Sequence, residues 1–122
     1  MKIVITVALS LLPLLTDAAL KAPAYPGCDI KAQRLIQGKT GGAIVDPRQA
    51  HISVRANILQ ADISTARKAR ILTQSQADKL WQRVDRVRQD AARLVKIQGF
   101  LSAAERASYD RELNGVAIKL CG

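Results

Sequence analysis

The sequence predicts an all-α protein, a small helical bundle of three longer helices plus a short N-terminal helix, closed by one disulfide. Three observations point there. An apolar pair followed by a helix-capping residue recurs three times along the chain. Each recurrence opens a stretch whose apolar residues return every three or four positions, the period of an α-helix. Nowhere does the pattern alternate in the β-α-β manner of a nucleotide-binding enzyme, for which 122 residues are in any case few. With 48% hydrophobic and 24% charged residues the composition is that of one globular domain, which excludes full disorder and a collagen-like or disulfide-dense scaffold.

At the N-terminus, Met1-Lys2 supplies positive charge, and the run from Ile3 to Leu15 is apolar except for Thr6, Ser10 and Pro13. As a helix this run reaches roughly 20 Å against a hydrocarbon core of about 30 Å, too short to span it. Thr16-Asp17-Ala18 follows with small side chains flanking a cleavage point, and Ala22-Pro23-Ala24 offers a second cut. A basic start, a short apolar run and a small-residue exit predict a secretory signal peptide over residues 1–18, with a buried N-terminal element as the alternative. Residues 19–45 read as an extended Ala/Pro-rich arm, a short helix and a Gly-rich linker. Asp29 caps that helix, which is expected to hold Ile30, Leu35 and Ile36 and to stop at Gly38.

Residues 46–122 form the predicted bundle. The three recurrences are Ile44-Val45-Asp46 with Gln49, Ile71-Leu72-Thr73 with Gln76, and Phe100-Leu101-Ser102 with Glu105. The last two are capping boxes, in which the hydroxyl accepts an N3 amide and the Gln or Glu reaches back. Asp46-Pro47 adds the fixed φ of a proline at the first helical position. The first helix, Pro47 to Arg70, is expected to bury Ile52, Ala56, Leu59, Ile63 and Ala66, with Val54 and Ile58 widening its face. In the second the apolar stripe is Ala77, Leu80, Trp81, Val84, Val87, Ala91, Leu94 and Val95, and Trp81 is read as core. The third offers Tyr109, Leu113, Val116, Ala117 and Leu120, with Asn114-Gly115 as a weak point that frays or kinks it.

Cys28 and Cys121 are the two cysteines, and an even count behind a signal peptide predicts a disulfide. A helix from Pro47 to Arg70 is about 36 Å long, far beyond the ~5.5 Å Cα separation of a disulfide. The short helix must therefore act as a fourth element, or the arm must run back along the bundle. A lipid-modified Cys28, anchoring the chain in the envelope, is the alternative. Tyr25 and Pro26 fit a lipoprotein cleavage site poorly, and lipidation would strand Cys121.

The pattern Leu72-Thr73-x-x-Gln76, a basic amphipathic helix, then Gly99-Phe100-Leu101-Ser102-x-x-Glu105-Arg106 resembles small, largely uncharacterised exported helical proteins of Gram-negative bacteria. The resemblance covers about residues 71–121 and implies an exported location and a helical build rather than an activity. Some such proteins look EF-hand-like, with an Asp before the glycine. Here Gln98 stands there and no Asp-x-Asp-x-Asp loop gathers oxygen ligands, so calcium is not implied.

Catalytic and cofactor chemistry finds little support. Gln37-Gly38-Lys39-Thr40 lacks the first glycine of a P-loop, because Gln33 stands in its place, and reads as a flexible linker. His51 is the one histidine. No carboxylate partner is specified by spacing, and a helix-surface imidazole is expected. Asp78, Asp85, Asp90, Asp110 and Glu112 could supply an acid/base pair. Most sit three or four residues from a cation, as in Asp85–Arg88, Arg86–Asp90, Asp90–Arg93 and Arg106–Asp110, and so read as surface helix pairs. One His and two bonded Cys make no zinc set. No catalytic residue, no metal and no cofactor is therefore expected.

Charge is what remains. The chain carries 19 Lys+Arg against 10 Asp+Glu, a net +9, and loss of residues 1–18 removes one of each sign, Lys2 and Asp17. The basicity belongs to the mature protein. Arg67, Lys68 and Arg70 close one helix and Lys79, Arg83, Arg86 and Arg93 line the next, a face suited to an anionic lipid, lipopolysaccharide or an acidic protein. One Trp, one Phe and two Tyr are too few to stack bases, which argues against specific nucleic-acid recognition. The expected function is that of an exported protein acting by binding in the periplasm or outside the cell. A solvated basic face without a partner, an anchored lipoprotein and an unrecognised enzyme are the alternatives.

Overall fold

Side-chain caps set where each helix begins. In the computed structural model, which describes residues 25–122, the Asp46 carboxylate accepts the Gln49 amide at 2.8 Å and starts α2 (Pro47–Lys68). Thr73 with Gln76 and Ser102 with Glu105 make both halves of the expected capping boxes, opening α3 (Gln74–Gln98) and α4 (Ala103–Cys121). Hydrogen bonds from the Ser102 amide and hydroxyl and from Gln98 hold the Glu105 carboxyl below its ordinary value. Gly99, at φ 90°, takes the left-handed conformation that ends α3. Asp29 accepts the Ala32 amide at 3.0 Å and starts α1 (Ile30–Arg34). The predicted signal peptide and the first part of the arm lie outside the described residues.

The fold is the all-α bundle that was expected, three long helices and one short one, with no strand among the described residues. α2 is central, packing on α3, on α4 and on a 3-10 turn at Pro26–Cys28. The predicted faces meet there. Ile52, Ala56, Leu59, Ile63 and Ala66 of α2 are buried against Leu80, Val84, Val87 and Ala91 of α3 and Leu113, Val116, Ala117 and Leu120 of α4. Each large aliphatic side chain so buried contributes about 1.5–3 kcal/mol. Val54, Ile58, Leu94, Val95 and Tyr109 are half-buried at the margins.

Three expectations need correction. Trp81 is 42% exposed rather than core. It follows Leu80, whose side chain takes the inward position, and a step of about 100° carries the next residue to the edge of the stripe. The first helix ends at Arg34, so Leu35 is exposed instead of packed inside a helix. Finally, α4 runs unbroken through Asn114-Gly115. A Cβ on Gly115 would meet the far end of the Arg83 side chain at 3.0 Å and no backbone within 4 Å among the described residues.

The topology follows from the ends of the chain. α2 and α4 begin at the same pole, where Asp46 accepts the Leu101 amide at 3.3 Å and Arg48 donates to the Leu101 carbonyl at 3.0 Å. At the other pole a disulfide joins Cys28 to Cys121, with Cα atoms 5.9 Å apart. Between these poles the chain runs antiparallel to α2. The Gly27 amide donates to Asp62 at 2.7 Å, the Ile36 carbonyl meets His51, and Gly38 lies against Ala50. Burial raises the Asp62 carboxyl, an effect partly offset by the Gly27 amide. The two expected solutions are thus combined, since the short helix and the chain after it form one fourth element running back along the bundle. Closing a loop over 93 residues stabilises by at most ~4.7 kcal/mol in the chain-entropy model.

Gly38 permits that return. A Cβ there would be driven into the Ala50 carbonyl group and the His51 amide, both backbone, whereas among the described residues nothing lies within 4 Å of a Cβ on Gly41. Gly38→Ala is expected to lower stability in chemical denaturation by about 2–3 kcal/mol, and Gly41→Ala to change it by less than about 0.5 kcal/mol. Equal effects would show that the linker does not seat on α2.

Candidate functional site

The polar centre of the molecule lies between α2 and α4. His51 and Arg55 stand one turn apart on α2, and Asp110 and Asn114 one turn apart on α4, so the two pairs face each other. Arg55, with no exposed surface, donates to Asp110 Oδ1 at 2.9 Å, to the Asp110 carbonyl at 3.2 Å and to Asn114 Oδ1 at 2.9 Å. His51, 2% exposed, places Nε2 2.7 Å from the same Asp110 oxygen and Nδ1 2.6 Å from the Ile36 carbonyl. Arg106 approaches the other Asp110 oxygen at 3.6 Å and donates to the Arg34 carbonyl at 2.9 Å.

The expected surface imidazole is therefore a buried one, and Asp110 is no surface partner of Arg106 alone. The sequence carried a signal for this, because His51 and Arg55 flank Ile52 and Ala56 on the apolar face of α2. A polar pair at that spacing on a buried stripe needs partners from another helix. Both ring nitrogens of His51 lie within hydrogen-bond distance of an oxygen, Nδ1 of the Ile36 carbonyl and Nε2 of the Asp110 carboxylate. The longer 3.4 Å contact from Arg106 to Nδ1 is subordinate to the 2.6 Å bond to Ile36. Both nitrogens are thus engaged within the fold. Burial by itself would raise the Asp110 carboxyl, but hydrogen bonds from His51 and Arg55, together with their charges, outweigh it and hold the group below its ordinary value.

The predicted basic face is spread over the surface of α2, α3 and their connection. Arg67, Lys68, Arg70, Lys79 and Arg86 are exposed and have no carboxylate within ion-pair distance among the described residues. Arg70 sits at φ 60° in the turn after α2, where its amide bonds to the Arg67 carbonyl. Arg83 is half-buried and gives Nε and one terminal nitrogen to Glu112, each at 3.0 Å. Arg93 pairs with Asp90 at 2.6 Å, about 20 Å along α3 from Lys79. Lys79 and Arg83 share a groove of about 370 Å³ with Lys119 of α4, Leu72 and Leu80. Lys119 is the member of this face that sequence reasoning missed, since no local pattern links it to α3.

Of the expected intrahelical pairs, Asp90–Arg93 and Arg106–Asp110 form, while Asp85–Arg88 and Arg86–Asp90 do not. Asp85 accepts from Gln89, and Arg88 turns to α2 to reach Asn57 and Gln60 at 2.8 and 2.7 Å. No group of three or more His, Cys, Asp or Glu suited to a metal occurs among the described residues. Comparison with protein-family models, curated proteins and solved structures returned no match.

The depressed Asp110 carboxyl has a pH consequence. Its contribution to stability is fully present above the ordinary carboxyl value of 3.8 and is lost as the pH falls through its lower folded-state value. Asp110→Asn is expected to cost about 3 kcal/mol near neutral pH, because the buried Arg55 loses its counter-charge. The variant should also lose less further stability than the parent as the pH drops below about 4. Urea titrations at pH 7 and pH 3 measure both effects.

Proposed function

We propose that this chain is an exported helical protein that acts by binding an anionic partner rather than by catalysis. One observation carries the reading. Arg67, Lys68, Arg70, Lys79 and Arg86, at the end of α2, in the following turn and along α3, are exposed and have no carboxylate within ion-pair distance among the described residues. A net charge of +9 leaves that field uncancelled over the chain as a whole. The arrangement suits an extended anion, such as lipopolysaccharide or an anionic membrane surface. Engagement of both His51 nitrogens speaks for binding rather than acid/base work.

Export rests on the N-terminal pattern and on the paired cysteines, which suit an oxidising compartment such as the periplasm or the extracellular space. The disulfide favours a free protein over an anchored one, since a Cys28 bonded to Cys121 has no sulfur left for a lipid. No described helix is long and apolar enough to cross a membrane. Intact mass of the protein recovered from cells, before and after reduction and alkylation, is expected to show a chain starting near Ala19 with no free thiol. A retained leader, a lipid mass or two thiols alkylated without reduction would count against this part of the reading.

Binding to heparin or lipopolysaccharide is expected to weaken steeply from low to physiological salt, because each neutralised anion releases counterions. Replacing Lys79, Arg86 and Lys119 together by Gln should weaken it about tenfold or more, equivalent to ~1.4 kcal/mol. These side chains are exposed and Gln is a good helix former, so thermal stability should hold. Affinity that is absent at low salt, or unchanged in the triple variant, returns the face to plain solvation.

A further inference from the structure

A second concentration of positive charge lies away from that face, and no local pattern in the sequence marks it. Lys31 and Arg34 of α1, Arg48 at the start of α2 and Arg106 in α4 converge on one cleft. It has two adjoining lobes, of about 460 and 430 Å³, which share Arg34, Leu35, Arg48 and Arg106. Asp110 lies in the wall of one lobe and His51 in the wall of the other. Only the return of the chain along the α2–α4 groove brings the cations of α1 to those of the two long helices.

The charges of this cleft do not balance. Lys31, Arg34 and Arg48 have no carboxylate within 4 Å among the described residues. The carboxylate in the wall, Asp110, is already shared among His51, Arg55 and Arg106. The two acids at neighbouring helix starts are also engaged. Asp29 accepts the Ala32 amide, and Asp46 accepts the amides of Gln49 and Leu101. The cleft therefore holds more positive than negative charge, with the exposed Lys31, Arg34 and Arg48 set around the buried Asp110 and His51.

Two of the cations are also held in place. Arg48 spends one N–H on the Leu101 carbonyl, and Arg106 is fixed by the Arg34 carbonyl and Asp110. A guanidinium has five donors, so each keeps others for a ligand, and a fixed fork loses little entropy on binding. We propose that this cleft is a binding site for a phosphate monoester group. Such a group carries nearly two charges at neutral pH and three acceptor oxygens, which matches several converging cations better than a singly charged carboxylate does. The exposed Leu35 at the rim and the size of the lobes leave room for the substituent that carries the phosphate. The site is separate from the proposed polyanion face, sharing no residue with it, so either can fail alone.

Titration of the oxidised full chain with inorganic phosphate, at constant ionic strength set with chloride, tests the site. Saturable one-to-one binding with a Kd of about 1 mM or tighter is expected. Lys31→Gln with Arg34→Gln should weaken it about tenfold without loss of thermal stability, since both side chains are exposed and neither makes a hydrogen bond or ion pair among the described residues. Arg48→Gln is a second variant with the same expected direction. Sedimentation with phosphatidylcholine vesicles containing phosphatidic acid separates the sources of the group. Retention lost in the Lys31/Arg34 variant assigns a lipid-borne phosphate, and phosphate binding without retention assigns a soluble one. Absence of both overturns the proposal. So does binding unaffected by the cleft variants, or weakened as much by Lys79→Gln with Arg86→Gln.

Discussion

The shared carboxylate of Asp110 is the constraint on which the arrangement of this bundle depends. Arg55 is wholly buried and ionised, and a guanidinium placed in a core without a counter-charge would cost several kcal/mol. Asp110 offsets that cost, and its bonds to His51 and Arg55 fix which turn of α4 lies beside which turn of α2. Asn114, one turn further on, receives the other fork of Arg55 and prevents a slip by a turn. Aliphatic side chains alone specify such a register weakly, because Ile52, Leu59, Leu113 and Val116 could pack acceptably after a small shift. The polar cluster selects one of those packings.

The same cluster organises the chain before α2. Ile36 gives its carbonyl to His51 and Arg34 gives its carbonyl to Arg106, so a segment with little helix of its own is held by the helices it crosses. At its far end the Gly27 amide is taken by Asp62, and Cys28 is bonded to Cys121. Hydrogen bonds thus tie this segment toward both poles, the disulfide adds a covalent tie at one, and the close seat of Gly38 on Ala50 lies toward the other. Five residues of helix could not persist there alone, since an isolated helix of that length cannot offset its nucleation cost.

Two basic regions result, and they differ in kind. Along α3 the cations follow one another on a helix face, open to solvent, and suit an extended anion met at many points. Around α1 and the starts of α2 and α4 they converge on one cleft whose acids are occupied, which suits one compact anion. The first arises from helical periodicity and the second from the crossing of three chain segments.

Much of the helical framework was legible in the sequence because its determinants are local. The Asp46, Thr73 and Ser102 caps act over three residues, and the aliphatic stripe of each helix repeats within a turn, so neither needs knowledge of the rest of the chain. The disulfide was legible from the cysteine count. What only the tertiary structure decided involves partners far apart in sequence. His51 meets Asp110 across 59 residues, Arg106 meets Arg34 across 72, and Arg83 prefers Glu112 across 29 to any neighbour on its own helix. Trp81 and Leu35, placed inward by periodicity, are exposed because the positions of the neighbouring helices set the edge of each buried stripe. A charged or amphipathic side chain can be satisfied by water, by its own helix or by a distant one. Only the folded chain, by removing water from some of these choices, determines which it takes.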